Sequence, residues 1–480
     1  MLDKFLEEYV NKLYNNSNVN MSIEQRNLYS KEKYYILLKP VVELLKEYPD
    51  DTIQELRDKL FSLSEIESKL KDFIYLKKMT PGVVISYGTN DYKETIVVGN
   101  REEVKLIDGK LVPSVSKMQE DTIFDLASIT KLYTSISILK LVQKGLISLE
   151  DKITKYLPNF KNLKEVTIFD LLSFKVPLKT SKRIDLAKDY MEAFGVLEDI
   201  EIGSLDTYDN PYTDMGAIVL KYVIEAVTKM PYYDFLDQEI LKPCGLTDTH
   251  VLVPNYKLNR VASTRFGGNI SKDGEFLRDL SGKVGMPHDP KARALNQEGH
   301  DLPGHAGLFS TASDMSNLAK SLINKEVLDN KYLEEMALNR TGKRIILGQE
   351  IKYIQYFGYL CYSKHPHLAD SELFHAMSGK SFASGGFTGG QFTLDPMNEI
   401  YFYLGTNRVH NRVVRDFSKN YQDIEDKDGT LVTNASRFTW ERDEYLVHPC
   451  LELAIQFKML EDFYKLCKEK IDYQEKKRVI

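Results

Sequence analysis

The amino-acid sequence predicts an α+β fold, in which helices flank an antiparallel β-sheet and an all-helical region is inserted into the sheet domain. Strand-like patterns occur early, in TPGVVISYG and ETIVVGN, where β-branched residues follow turn residues. They return late, as the two alternating runs of GGQFTLDPMNEIYFYLGTN. The segment from residue 126 to about 249, between these patterns, is mainly helical. One sheet formed by both ends of a domain, with helices inserted between them, accounts for this order.

Residues 1–76 predict a helical extension in front of the sheet. This segment contains no glycine and is rich in Leu, Glu, Lys and Tyr. Apolar residues at steps of three and four indicate a helical hairpin or small bundle; they are Ile53, Leu56, Leu60, Leu63, Ile66 and Leu70. No residue pattern for chemistry is visible here, so we expect the extension to pack on the rest of the chain, or to bind a protein partner or a second copy.

The rest of the chain divides at about residue 420. We predict a sheet domain over 77–420, with its helical insertion at about 145–310, and a mostly helical C-terminal extension over 421–480. A loop region rich in Gly, Pro and His spans about 264–310. After it, Thr311 or Ser313 is a good N-cap for the next helix.

Composition argues against several classes of protein. The formal net charge of -6 and the lack of a long run of Lys or Arg argue against nucleic-acid binding. Four widely separated cysteines predict reduced thiols rather than a disulfide framework or a metal site. No window approaches about 18 consecutive apolar residues, so we expect no membrane span. The N-terminus lacks the apolar core of a secretion signal, so we expect a cytoplasmic protein unless a leader was removed.

The first candidate for chemistry is the pair Ser128 and Lys131 in FDLASITKLYTS. Three residues apart on a helix, the two side chains share a face, with about 5–6 Å between their Cβ atoms. A serine hydroxyl becomes a nucleophile when a neighbour takes its proton, and a lysine with a lowered pKa can do so. A helix N-terminus also offers N–H groups to a developing oxyanion. The spacing alone favours an ordinary helix start, because Ser-x-x-Lys occurs by chance in many proteins and serine is common at helix starts.

Two further segments add candidate residues. Tyr212 and Asp214 stand just before an apolar helix, and a tyrosine near a lysine ammonium group could relay a proton to a leaving group. Packing alone also explains a tyrosine at this place, in a chain with 29 tyrosines. In SFASGGFTGGQFTLDP a strand is preceded by four glycines, which form either a bulge or a place where a ligand approaches the backbone: Gly385, Gly386, Gly389 and Gly390.

In this order and spacing, the three segments resemble those of the serine β-lactamase and penicillin-binding-protein superfamily, in its class C-like branch of hydrolases and esterases. The segment from Ser128 to Lys131 is similar to the first motif, and Tyr212 to Asp214 is similar to the Tyr-x-Asn motif. The resemblance covers about 80–415 and includes GLISLEDKITKYLPNF, VTIFDLLSF, ILKPCGLTDT, GHAGLFSTASDM and GGFTGGQFTLDP.

The resemblance implies a β-lactamase/transpeptidase-like fold with the active site in a cleft between the sheet and the helical region. It implies that Ser128 attacks a carbonyl to form an acyl-enzyme, that Lys131 takes the serine proton, and that Tyr212 assists leaving-group protonation and activation of water. The backbone N–H groups of Ser128 and Phe387 would hold the oxyanion. The resemblance also implies substrate-binding positions at Asp214, Ser384, Gly385 and Gly386.

The sequence departs from the family pattern at three places. The third motif, usually Lys-Thr-Gly or His-Thr-Gly, runs here from Ser384 to Gly386, so a cation for a substrate carboxylate is missing and Lys380 is a candidate replacement. Asp214 replaces the motif asparagine; pairing with Lys131 would raise the pKa of that lysine and favour Tyr212 as the base. DLLSFKVPL replaces the usual His-Thr-Ser-Gly segment, so the loop beside the site is altered.

The histidines do not form an evident metal site. His365 and His367 are spaced as a half-site, and His300 and His305 lie in a glycine-rich loop, but carboxylates or cysteines at ligand spacing are missing. We therefore expect no metal and no cofactor, and a structural role for His305 near the cleft.

Together these observations predict a metal-independent serine hydrolase acting on a small ester, amide or peptide. An esterase, or a peptidase for D-amino-acid-type substrates, is favoured over a true β-lactamase because the third motif lacks its carboxylate anchor. The alternative is a catalytically weak protein of the same fold that acts as a binding or sensor module. The changed third motif and the N-terminal extension favour that alternative, whereas Ser128, Lys131 and Tyr212 at the family spacing favour the hydrolase.

Overall fold

The computed structural model describes residues 1–19, 30–203, 211–296, 301–341, 344–347, 350–353, 356–364, 372–427 and 429–479. Within these residues the main element is a seven-stranded sheet whose neighbouring strands are all antiparallel. From one edge to the other, its strands are Tyr362–Ser363, Phe382–Gly385, Gln391–Asp395, Ile400–Thr406, Gly82–Thr89, Lys93–Ile107 and Lys110–Lys117.

Early and late parts of the chain meet at the centre of this sheet. Strand Gly82–Thr89 pairs with Ile400–Thr406 on one side and with Lys93–Ile107 on the other. Both predicted hairpins are present, the early one around Asn90 to Tyr92 and the late one around Pro396 to Glu399. The predicted α+β class, with a sheet built from early and late strands, is confirmed.

Both faces of the sheet are covered, which explains why strand Gly82–Thr89 is buried along its whole length. Successive side chains of a strand point to opposite faces. Val83 and Ile85 accordingly belong to one hydrophobic core, and Val84 to the other. The strand therefore reads as a continuous apolar run rather than as an alternation of apolar and polar residues.

Helices from the two ends of the chain cover the first face. Thr52 caps one of them, since its Oγ1 accepts the N–H of Glu55 while the Glu55 carboxylate accepts the N–H of Thr52. The described residues of 1–76 thus form mainly helices, and five of the six residues of the apolar stripe pack within the chain, whereas Leu63 is exposed. The helices of this layer are Leu2–Ser17, Lys31–Glu47, Ile53–Leu63, Ile66–Lys71 and His448–Val479.

The second face and the cleft are formed by helices from the middle of the chain. Thr311 is the N-cap that the sequence predicts, because its side chain accepts the N–H of Asp314 at 3.2 Å. The other helices on this side are mostly short, which fits their frequent interruption by turns. These helices are Thr130–Gln143, Ile168–Leu172, Tyr190–Glu198, Met215–Thr228, Tyr232–Leu236, Pro290–Leu295, Ala312–Ile323 and Asn330–Ala337.

A small second sheet is the main feature that sequence analysis missed. Its strands lie in the predicted loop region, after the late hairpin, and in the first part of the predicted helical C-terminal extension. Strands this short show no recognisable alternation, and some of their pairings are parallel and distant in sequence. In spatial order they are Ile424–Glu425, Leu431–Asn434, Arg412–Asp416, Gly268–Ile270 and Phe276–Arg278.

Two predictions about the chain as a whole can be compared with the structure. All four cysteines are free thiols, and Cys244, Cys361 and Cys450 are buried. Burial raises the pKa of each of these three thiols, to about 11 for Cys244 and about 12 for Cys361. In the part of the chain that the structure describes, no helix has the length and apolar character needed to cross a membrane.

Candidate active site

Ser128 lies in a short 3-10 turn, Ala127–Ile129, that leads directly into the helix Thr130–Gln143. This helix is buried over most of its length, so it is a rigid support. Ala127 has a left-handed backbone with φ of 45°, a conformation that costs a non-glycine residue about 1 kcal/mol. The N–H of Ala127 donates to Oδ1 of Asp125 at 2.8 Å, and this bond holds the turn that presents the half-buried Ser128.

Lys131 places its ammonium group directly beside the serine hydroxyl. Its Nζ donates to Oγ of Ser128 at 3.0 Å and to the carbonyl oxygen of His305 at 3.2 Å. The same nitrogen lies 2.7 Å from Oδ1 of Asp214, and only 1% of the lysine side chain is exposed. The structure therefore brings together three residues that the sequence singled out, and adds the backbone of His305 to them.

The pKa of Lys131 is raised above its ordinary value. Burial by itself lowers the pKa of this lysine, but interactions with Asp214 and Tyr212 outweigh burial. Lys131 is therefore an ammonium group at neutral pH, and it donates a hydrogen bond to Ser128 instead of accepting one. The direction expected from an aspartate at position 214 is confirmed.

Tyr212 is held between aromatic rings beside the lysine. Its ring stacks on Phe174 with 5.3 Å between centroids and contacts Phe357 at 5.9 Å. Nζ of Lys131 lies 4.9 Å from the centre of the tyrosine ring. Phe174 belongs to the segment DLLSFKVPL, so the altered loop supplies one wall of the site.

Two charged residues that the sequence motifs did not reveal also belong to this cluster. They are Lys291, which contacts Asp214, and Asp289, which contacts Lys291. Nζ of Lys291 lies 3.1 Å from Oδ2 of Asp214 and 3.2 Å from Oδ2 of Asp289. Nε2 of His305 lies 3.0 Å from Oδ1 of Asp289. Both residues fall in the predicted loop region, where Asp-Pro-Lys reads as an ordinary helix start, and Asp289 does cap the helix Pro290–Leu295.

The charges of this network balance one another. The pKa values of Asp214 and Asp289 lie well below the ordinary range, although burial by itself raises both. Lys131, His305 and Lys291 outweigh burial at Asp214, and His305 and Lys291 do so at Asp289. Both carboxylates are thus ionised and held by cations.

Potential metal ligands do lie together in this network. Asp214, Asp289 and His305 place ligand-type atoms within 4.8 Å of one another. The ammonium groups of Lys131 and Lys291 contact the same carboxylates, which disfavours a metal cation there by charge repulsion. The other histidines considered in the sequence, His300, His365 and His367, lie outside the described residues.

The glycine-rich strand ends beside the Ser128 turn. A Cβ atom on Gly386 would lie 2.7 Å from the carbonyl oxygen of Leu126 and 3.5 Å from Cβ of Ala127, so the two segments are in contact. The N–H of Gly386 donates to the carbonyl of Gly390 at 2.8 Å, which turns the chain after strand Phe382–Gly385. Only glycine allows this close approach.

The segment from Ser384 to Phe387 continues past the edge strand of the sheet. The edge strand Tyr362–Ser363 pairs with Phe382 and Ala383. Among the described residues it pairs with no later residue of strand Phe382–Gly385. The half-exposed ring of Phe387 stacks on His288 with 5.5 Å between centroids. On the side facing the edge strand, Ser384 and Gly385 thus have no strand partner among the described residues.

Positive charge beside this strand comes from the C-terminal segment. Nη1 of Arg442 lies 4.0 Å from the position that a Cβ atom of Gly385 would occupy. Nη2 of the same arginine lies 2.8 Å from Asp443, and 5% of its side chain is exposed. Arg442 is thus a third residue that the sequence motifs did not reveal, because it follows the third motif by more than fifty residues.

A second buried arginine lies next to it. The guanidinium carbon of Arg408 lies 5.3 Å from the centre of the Phe387 ring. Burial, together with repulsion by Arg442 and Arg415, lowers the pKa of Arg408 to about 9. Lys380, the replacement considered from the sequence, instead pairs with Glu334 at 3.1 Å.

Comparison with known proteins gives a consistent set of similarities. The model of the Beta-lactamase family matches residues 94–423. N-acetylmuramyl-L-alanine amidase of Bacillus subtilis (strain 168) is 28% identical over 343 residues, which are 64% of this chain and 72% of the relative. A protein of Escherichia coli (strain K12), provisionally named D-alanyl-D-alanine carboxypeptidase, is 27% identical over 340 residues, covering 66% of this chain and 76% of the relative.

Solved structures share the fold. Simvastatin synthase from Aspergillus terreus, as its LovD6 mutant, superposes with a TM-score of 0.55 at 16% identity, covering 82% of this chain and 97% of the synthase. The matched family region contains Ser128, Lys131, Tyr212 and Phe387, whereas Arg442 lies beyond it.

Proposed function

Because this chain belongs to the Beta-lactamase family, we propose that it is a metal-independent serine hydrolase that cleaves an ester or amide bond through an acyl-enzyme on Ser128. The contact of 3.0 Å between Oγ of Ser128 and Nζ of Lys131 is the observation that carries this proposal. A purely structural helix start needs no buried ammonium group, since burying one is costly unless it is paired.

In the proposed reaction, Oγ of Ser128 attacks the substrate carbonyl and Tyr212 accepts the hydroxyl proton. Tyr212 accepts the proton as a phenolate, whose negative charge the ammonium group of Lys131 stabilises, and it becomes a neutral phenol as the proton arrives. Tyr212 then gives the proton to the leaving group, and later takes a proton from the water that hydrolyses the acyl-enzyme. The N–H groups of Ser128 and Phe387 hold the oxyanion.

The substrate proposed for this site carries a carboxylate near the scissile bond. Arg442 takes the place of the missing cation of the third motif, because its Nη1 lies 4.0 Å from the position that a Cβ atom of Gly385 would occupy. Asp214 shares the cleft with Lys131, and the segment from Ser384 to Gly386 forms the other wall. Guanidinium groups bind carboxylates through charge-assisted hydrogen bonds. This supports a peptidase or esterase for D-amino-acid-type substrates, in line with the amidase and carboxypeptidase names of the two relatives.

Residues 1–76 have a structural role in this proposal. Their apolar stripe packs against the sheet and the helix His448–Val479, in one hydrophobic core with strand Gly82–Thr89. Binding of a protein partner or a second copy through this extension stays a prediction, as does a cytoplasmic location.

Covalent labelling tests the proposed function. The protein is incubated with a fluorophosphonate and with a fluorescent penicillin, and the modified residue is located by mass spectrometry. We expect an adduct on Ser128, turnover of small aryl esters, and loss of both in Ser128→Ala with little change in thermal stability. Ester turnover retained in Ser128→Ala would show that another residue is the nucleophile. An adduct that never clears would instead favour the binding or sensor module.

A further inference from the structure

Asp214 is shared between two lysines from different parts of the fold. Oδ1 of Asp214 lies 2.7 Å from Nζ of Lys131, and Oδ2 lies 3.1 Å from Nζ of Lys291. Lys291 also contacts Asp289, which in turn pairs with His305. The carboxylate therefore bridges two ammonium groups, one facing Ser128 and one on the far side of the aspartate.

This bridge has a consequence for charge. An aspartate in place of the motif asparagine adds one negative charge beside Lys131, which would cancel the charge that Tyr212 needs. Lys291 adds one positive charge at the opposite oxygen of the same carboxylate. Asp214 and Lys291 taken together thus add no net charge beside Lys131, as a single asparagine would, while Asp289, the other carboxylate on Lys291, also pairs with His305.

We propose that Lys291 is a positioning residue that neutralises Asp214, so that the positive charge of Lys131 stays available to Tyr212 during acylation of Ser128. This inference rests on the proposed function. It assigns to Lys291 no contact with the substrate; the residue acts through Asp214.

Other charged and titratable groups surround the same lysine and stay constant in the test. Ser128 faces Lys131 from its own turn, and His305 faces it through the backbone carbonyl. Tyr212 approaches from the segment before helix Met215–Thr228. Two groups are more distant from Lys131. Asp125 interacts with Asp289, and Arg293 interacts with Asp125.

The test varies the charge at the two positions and reads the pH profile of catalysis. Lys291→Met, Asp214→Asn, the double variant Asp214→Asn with Lys291→Met, and Lys291→Arg are compared with the wild type. For each, kcat/KM for p-nitrophenyl acetate is measured across the ascending limb of the pH profile, which reports proton loss from the free enzyme's essential base. Urea unfolding shows that each variant has folded, and fluorophosphonate labelling shows that Ser128 still reacts.

The pH at which the ascending limb appears should follow the net charge around Lys131. Lys291→Met removes the cation that compensates Asp214, which makes loss of the proton harder and moves the limb to higher pH by about two units, as expected for charges roughly 6 Å apart at an effective dielectric of about 20. Asp214→Asn moves the limb to lower pH. The double variant and Lys291→Arg restore the net charge, so their limbs return towards that of the wild type.

Two kinds of result separate this inference from the proposed function. The role of Lys291 is overturned if Ser128 is still labelled and the ascending limb of the pH profile does not move in Lys291→Met. It is also overturned if the double variant behaves like Lys291→Met alone. A wild type that is neither labelled at Ser128 nor active on esters overturns the proposed function, and this inference with it.

Discussion

Nζ of Lys131 lies closer to Oδ1 of Asp214, at 2.7 Å, than to Oγ of Ser128, at 3.0 Å. The lysine is therefore held as an ammonium group by a carboxylate, at a place where the family motif has a neutral amide. Because an ammonium group has no lone pair, it cannot take the serine proton. In the proposed reaction the role of base therefore belongs to Tyr212, which leads to the first prediction.

Tyr212→Phe removes the hydroxyl and keeps the ring between Phe174 and Phe357. We expect kcat/KM for an aryl ester to fall by about 10²- to 10⁴-fold, the usual contribution of a general acid–base group, with little change in the thermal midpoint. Tyr222→Phe is a matched control, since Tyr222 lies in the next helix and its hydroxyl contacts only Tyr190 among the described residues, at 3.2 Å. Equal losses in the two variants would show that the base lies elsewhere.

Two adjacent glycines offer a second prediction. A Cβ atom on Gly386 would lie 2.7 Å from the carbonyl oxygen of Leu126, whereas the nearest atom to a Cβ on Gly385 is 3.6 Å away, on Tyr362. We expect Gly386→Ala to destabilise the protein by about 1–3 kcal/mol, as overpacking does, and to slow acylation by moving the strand end away from Ser128.

Gly385→Ala is the matched control, because its Cβ meets ordinary van der Waals distances. Urea unfolding and the rate of fluorophosphonate labelling measure the two effects separately. Similar free energies of unfolding for both variants would contradict the tight contact between the strand and the serine turn.

Much of this site could be predicted from sequence because its residues lie in short, local motifs. Ser128 and Lys131 are one helical turn apart, and Tyr212 with Asp214 stands at a helix start. The helical periodicity of 1–76 and the two hairpins are likewise local patterns. A resemblance to a known family then joined these segments into one site.

Residues that reach the site through tertiary structure left no such signal. Lys291 and Asp289 lie in a segment that reads as loop, and they meet Asp214 only in the folded chain. Arg442 lies beyond the region that matches the family model. The short strands of the small sheet have the same origin, since two to five residues are too few to show a period.

Arg442 supplies the third prediction. The experiment compares a peptide ester that has a free C-terminal carboxylate with the same ester that has a C-terminal carboxamide. We expect Arg442→Met to lower the ratio of their kcat/KM values, carboxylate over carboxamide, by roughly 10-fold to 100-fold. The reason is the loss of a charged hydrogen bond to the carboxylate. Most of the loss should be in KM. Arg442→Lys should restore part of the ratio.

The control for this experiment is Arg437→Met. Arg437 directly precedes the short helix Phe438–Arg442, which contains Arg442, but its side chain is 49% exposed and pairs with Glu441. A double variant Arg442→Met with Asp443→Asn removes the charge that the single variant leaves buried, and so separates lost binding from lost stability. An unchanged ratio in both Arg442 variants would show that this arginine only balances Asp443.

The N-terminal layer gives the last prediction, which concerns stability. Nη2 of Arg57 lies 2.7 Å from Oε1 of Glu461, and both side chains are less than one-tenth exposed. Arg57→Met leaves that carboxylate buried without its cation, so we expect the free energy of unfolding to fall by about 3–5 kcal/mol. The double variant Arg57→Met with Glu461→Leu should recover much of this loss.

Lys4→Met, which breaks an exposed pair with Glu8, is the control and should cost less than about 1 kcal/mol. Urea unfolding measures all three; a loss in Arg57→Met as small as that in Lys4→Met would mean that residues 1–76 are not fastened to the sheet domain through this pair.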